Sequence, residues 1–229
     1  MPRTGEAGVV RFESSRPVAA LAAAVVGAIL LSGCTAGWDG PHPVPTLVGA
    51  VSEGFLPATP LAPAATMAPS PGSWAGAQPS RGYRVVLLTM GDAPETETLA
   101  EAVHDWAREV GADLRDVSAA TDPIPAISRA IDLAPDVIIS VGDGLVDPLA
   151  IVTASHLDRA FLVLGGELAE PTENVLSVDW PGAGFRGEDL GQAAHHDPAT
   201  FTPERSARAV RAGVAALLSG QNGVVVWID

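Results

Sequence analysis

The sequence predicts an α/β protein, a doubly wound parallel sheet in the flavodoxin-like order 2-1-3-4-5 with one further C-terminal strand. Three observations predict it. Short apolar runs at 85–90 (VVLLTM), 137–141 (VIISV), 161–164 (FLVL) and 175–178 (VLSV) suit strands buried on both faces. Stretches of helical period alternate with several of them, as crossover helices over a parallel sheet require. Gly- and Asp-bearing loops follow the runs, and right-handed crossovers leave few arrangements of such elements.

Taken in order, residues 1–33 read as an export signal. Arg3, Arg11 and Arg16 form a basic start, diluted by Glu6 and Glu13. An uncharged Ala/Val/Leu run, 17–31, has signal-core length and is short for a membrane span. It ends in Leu31-Ser32-Gly33-Cys34, which resembles a lipobox. That resemblance implies lipidation of Cys34, cleavage before it and anchoring at the outer face of the cell membrane. Two or three acyl chains hold a protein where one is marginal. The competing reading is a buried cysteine after an N-terminal anchor helix. With this single cysteine no internal disulfide can form.

Residues 34–81 are expected to be a disordered tether. Pro41, Pro43, Pro45, Pro57, Pro60, Pro63, Pro69, Pro71 and Pro79 break helices and deny donors to any ladder. Trp38 and Trp74 are unusual in a solvated linker and could pack back on the domain.

Residues 82–229 are expected to be the folded domain. The first strand, 84–90, leads through Gly91-Asp92-Ala93-Pro94 into a helix with Leu99, Ala102, Val103, Trp106, Ala107 and Val110 on one face. Gly111 suits the residue past its end. A weaker strand near an edge, 113–117, precedes a helix opened by Thr121-Asp122-Pro123. The strand 137–141 leads to a helix from about Asp147 to His156. The strands at 161–164 and 175–178 follow. A polar Gly-rich stretch, 182–199, leads to a last helix capped by Thr202, with Ala207, Val210, Val214, Leu217 and Leu218 inward. Residues 224–228 (VVVWI) close the sheet.

Ligands of open doubly wound sheets lie beyond the carboxyl ends of the strands. Those ends carry Asp92, Asp143, Glu167, Asp179 and Trp180, with glycines that permit close backbone approach. Such an acidic rim repels phosphate and favours hydroxyl donors or a cation, and the indole of Trp180 could stack on a flat ring. The plainer reading is that Gly and Asp are simply good loop residues. There is no P-loop, and Gly142-x-Gly144 lacks the third dinucleotide-binding glycine. No catalytic triad can be argued. His195-His196-Asp197 is a weak metal candidate, and Asp92 with Asp143 a weak acid/base or Mg²⁺ pair; neither a metal nor a cofactor is expected. A net charge of −14, with Arg the sole basic residue type, argues against nucleic acid as partner.

The runs VVLLTMGD at 85–92, PDVIISVGDGLVDPL at 135–149, FLVLGGE at 161–167 and NVLSVDWPGAGFRGEDLG at 174–191 resemble the first lobe of the basic membrane protein family. These are lipoprotein substrate-binding components of ABC importers with the type I periplasmic-binding fold. The resemblance implies a small polar ligand such as a nucleoside, a permease partner and no enzymatic activity. In place of the family's Ser-aromatic-Asn segment stands Ala93-Pro94-Glu95-Thr96-Glu97, so only Asp92 carries across as a ligand contact. The family closes two lobes on its ligand and this chain supplies one. The expectation is therefore either weak binding, or binding between two facing copies. Two other classes compete: a surface interaction lipoprotein without a small ligand, and an enzyme working through Asp92.

Overall fold

A computed structural model describes residues 38, 40–119, 121–183 and 196–229. In chain order come the short strands β1 (Leu47–Gly49), β2 (Thr66–Met67) and β3 (Ala77–Pro79). They are followed by β4 (Arg84–Met90), α1 (Pro94–Val110), β5 (Asp113–Ala119), α2 (Ile124–Asp132) and β6 (Val137–Val141). Then come α3 (Val146–Val152), β7 (Phe161–Leu164), β8 (Val175–Asp179), α4 (Pro203–Leu218) and β9 (Val225–Trp227).

One seven-stranded sheet runs β2-β9-β8-β7-β6-β4-β5, every pair parallel. The expected order holds, with β5 at one edge as its weaker, charged sequence indicated. β1 and β3 form a separate antiparallel pair. The register sets Leu87 beside Asp116 on one side and Ile139 on the other. Val85, Leu87, Ile139, Leu162, Leu164 and Val178 thus face α1 and α4 within the main core. Alternation sends Val86, Leu88, Ile138 and Val163 to the opposite face, the side of α2 and α3. Each such fully buried aliphatic contributes roughly 1.5–3 kcal/mol relative to exposure.

The tether expected over residues 34–81 needs correction. The chain divides into units Met1–His42 and Pro43–Asp229, so the folded unit starts well before Gly82. Phe55, Met67 and Trp74 are core residues, and β2 extends the sheet beyond β9. Prolines between these strands restrict them to a few residues without preventing them, since edge positions tolerate a missing donor. Trp74 does pack on the domain, edge-on to Phe55 at 6.3 Å. Trp38 belongs to the first unit. The export signal and Cys34 lie outside the described residues. Among the described residues no helix is long and apolar enough to cross a membrane.

Local sequence accounts for most helix boundaries. Gly111 takes φ +69° past the end of α1, and its N–H donates to the Ala107 carbonyl. The hydroxyl oxygen of Thr202 accepts from the N–H of Arg205 at 3.2 Å and caps α4. At α2 the cap differs from expectation. Of Thr121-Asp122-Pro123, Pro123 stands at the N-cap position with no side chain capping the helix, while Asp122 Oδ1 accepts from the Ile124 N–H. α3 is shorter than read, because its last turn tightens into a 3₁₀ turn at Thr153–Ser155.

Asp136 joins the starts of β4 and β6. Its Oδ2 accepts from Arg84 N at 2.7 Å, and its own N–H donates to the Arg84 carbonyl at 2.9 Å. Burial, and secondarily the Asp136 carboxylate, push the hydroxyl of neighbouring Tyr83 above its ordinary range. The folded state therefore prefers neutral Tyr83. That stability is fully present below the unfolded-state pKa of about 10 and is lost as pH rises through the folded value. Urea midpoints should fall as pH passes about 10, and Tyr83→Phe should flatten that alkaline limb. Identical limbs in both proteins would contradict the argument.

Candidate functional site

β4 is flanked by β5 on one side and β6 on the other, so strand order switches direction between β4 and β6. The loops leaving these strands carry Gly91-Asp92 and Gly142-Asp143-Gly144. Asp92 and Asp143 are both exposed there. Gly91 has φ +79°, and a Cβ built on it would meet nothing within 4 Å, so this side of the loop is open. α1 begins at the same loop. Its N-cap, Ala93, has no side-chain oxygen to accept from the first N–H groups. Carboxylate acceptors and helix N-terminal donors are thus presented together at the switch point.

The other three candidates are not exposed like these two. Glu167 is 3% exposed and Asp179 is fully buried. Asp179 Oδ1 accepts from the N–H of Trp180 at 2.8 Å, which turns the chain as β8 ends. Trp180 is fully buried, so its face is not available to stack on a ligand. Its ring meets Phe201 edge-on at 5.0 Å, and its Nε1 donates to Thr200 Oγ1 at 3.2 Å. An indole this large, beside the apolar ends of β7 and α1, is worth more as core than as a solvent-exposed platform.

The glycines mostly serve packing rather than ligand approach. A Cβ at Gly142 would come within 2.8 Å of Thr96 Oγ1, and one at Gly166 within 3.1 Å of Val146 Cγ2. At Gly165, with φ +76°, it would meet Phe201 Cε1 at 2.8 Å and Leu99 Cδ1 at 3.1 Å.

A contact the sequence did not suggest lies beside the switch point. His196 Nε2 stands 3.4 Å from Glu95 Oε1 on the first turn of α1, and its ring packs on Phe201 at 5.6 Å. His195 lies outside the described residues, and Asp197 Oδ1 accepts from the Ala199 N–H. Among the described residues no group of three or more His, Cys, Asp or Glu is placed to hold a metal.

No protein-family model matches the chain, and no curated protein does. Among solved structures it is similar to an ABC transporter solute-binding protein from Aeropyrum pernix K1, at 19% identity and a TM-score of 0.35. That match covers 43% of this chain and 29% of the other. It is also similar to a periplasmic ribose ABC transporter protein from Conexibacter woesei DSM 14684, at 16% identity and TM-score 0.33, covering 65% of this chain and 54% of that one. A LacI transcriptional regulator from a Rhodococcus species gives 17% identity and TM-score 0.35, covering 63% and 57%. The chain therefore spans less than a third of the first of these proteins and little more than half of the other two.

Proposed function

We propose that this chain is a lipid-anchored, extracytoplasmic binding module of the solute-binding kind. It recognises a small hydroxyl-bearing ligand, a nucleoside or sugar, at the switch point between β4 and β6. The observation that carries the reading is the exposed pair Asp92 and Asp143, on neighbouring loops beside the uncapped start of α1. Sugar hydroxyls donate to such carboxylates and accept from helix N–H groups. The acidic rim disfavours free phosphate as ligand. A single lobe covers one side of the ligand, so affinity is weak unless a second copy or a permease covers the other. No residue is assigned a catalytic role.

Thermal-shift titration with adenosine, uridine and ribose should raise Tm in the millimolar range, about 4 kcal/mol of binding free energy. Asp92→Asn with Asp143→Asn should abolish the shift while leaving the unliganded Tm within a few degrees, since both side chains are exposed. An unchanged shift in the double variant would sink the reading. The anchor is tested separately. Cys34→Ala should release the protein from detergent-phase partitioning into the aqueous phase, and retention in detergent would remove the lipoprotein assignment.

A second reading rests on a specific observation. Glu167, Asp179 and Trp180 are buried, so of the five expected contacts only Asp92 and Asp143 are presented to a partner. An edge that presents only two of the five side chains suits a surface lipoprotein that docks another protein and takes no small ligand. Membrane pull-down of one defined partner, with silent thermal shifts, would favour it.

A further inference from the structure

We propose that the layer built by residues 43–80 is the face that the folded unit lays on the lipid bilayer. The inference rests on lipidation of Cys34, as read above, and adds which side of the domain that anchor holds to the membrane.

The layer is organised around β1 and β3. Beyond that pair, the N–H of Ser80 donates to the Thr46 carbonyl at 2.9 Å, that of Ala50 to Gly76 at 3.2 Å and that of Ser52 to Ser73 at 2.7 Å, which keeps the two segments joined. One side of the layer turns inward. Val51 packs against the core, Phe55, Trp74 and Pro79 are buried, and β3 lies on α4. The other side is open. Val44 is 83% exposed and Val48 43%, and Thr46 between them is exposed too. Gln78, opposite Val48 in the register, is likewise exposed. A period of two puts residues 44, 46 and 48 on one side of an extended chain.

Two exposed valines on an ordinary surface mean little. Here the charge pattern singles them out. Residues 43–80 carry one charged side chain, Glu53, in a protein of net charge −14. α1 alone carries Glu95, Glu97, Glu101, Asp105 and Glu109. An anionic leaflet repels carboxylates that come within a Debye length, about 8 Å at physiological salt. It accepts a charge-poor layer with apolar side chains and turns the acidic elements away.

Chain connectivity selects the same side. Cys34 and Pro43, the first residue of the folded unit, are nine residues apart. Nine residues reach about 30 Å at full extension. A compact unit of this length is about 40 Å across, so its far side cannot touch the bilayer. The tether also holds the layer at high local concentration over the lipid. A preference too weak to bind the domain unaided is then enough to orient it.

The test is fluorescence quenching on the full lipidated chain in phosphatidylcholine–phosphatidylglycerol vesicles. With Cys34 acylated, a cysteine introduced by Val44→Cys, Val48→Cys, Asp105→Cys or Ile151→Cys is the one free thiol. All four positions are exposed and accept a bimane label. Ile151 is apolar, 75% exposed and on α3, across the sheet from α4, so it separates orientation from mere stickiness. Doxyl-labelled lipid should quench the labels at 44 and 48 about fivefold more than those at 105 and 151, the population ratio that one unit charge of surface repulsion gives. Equal quenching at all four positions overturns the inference, as does none at 44 and 48 in protein that floats with the vesicles. A label at 44 or 48 shielded from aqueous iodide yet untouched by doxyl lipid assigns the face to a protein and overturns it too. In these three cases the Cys34 reading stands. Protein that fails to float with the vesicles removes that reading, and this inference with it.

Discussion

Trp180→Ala should lower the unfolding free energy by roughly 3–5 kcal/mol, the range for truncating a fully buried large aromatic. The ring is fully buried, contacts Phe201 edge-on at 5.0 Å and donates its indole N–H to Thr200. Removing it leaves a cavity where β8 ends and where Gly165 presses close to Phe201 and Leu99. Domains of this size are stable by about 5–15 kcal/mol, so the variant loses a large share of its stability. Trp180→Phe keeps most of the packing and forfeits mainly the bond to Thr200, about 1 kcal/mol. Urea unfolding of the three proteins measures the difference. A Trp180→Ala variant within about 1 kcal/mol of the parent would mean that the ring is not core, and the stacking role read from the sequence would return.

Gly213→Val should destabilise by about 1–3 kcal/mol, the range that overpacking costs. In an open helix the exchange of Gly for a residue with a side chain raises helix propensity. Here α4 lies so close on the sheet that a Cβ at Gly213 would stand 2.7 Å from Leu162 Cδ1 and 2.8 Å from Val178 Cγ2. Leu162 can swing its terminal methyls aside, but the methyls of Val178 are fixed by its branched Cβ. Gly213→Ala should therefore lose rather than gain stability, and Val should lose more. Chemical denaturation that ranks Val above Gly would show that α4 has room to lift from β7 and β8.

The apolar runs made β4, β6, β7 and β8 legible because a strand buried on both faces needs nothing but apolar residues. Their order followed from the handedness of the crossovers. β2 was not legible. It has two residues, Thr66 and Met67, in a proline-rich stretch, and its place beside β9 comes from tertiary packing. The signal that could have found it was Phe55 and Trp74, side chains too large and apolar for a solvated tether. In α4 the sequence pattern places Leu217 and Leu218 inward; both are partly buried against the core, and Ala209, Ala212, Gly213 and Ala216 are more deeply buried. The helix lies against the sheet, against α1 and against β3, so small residues mark its closest contacts. The candidate site divides along the same line. Asp92 and Asp143 belong to loops that stand clear of the sheet. Asp179 and Trp180 close a strand end, where burial decides their role and no local pattern reveals it.

The switch-point site is tested most directly by backbone amide NMR of the protein titrated with adenosine. The account predicts shift changes that saturate and are confined to Gly91, Asp92, Glu95, Thr96, Gly142, Asp143 and their immediate neighbours. Saturable changes centred elsewhere, or none at millimolar ligand, would contradict it.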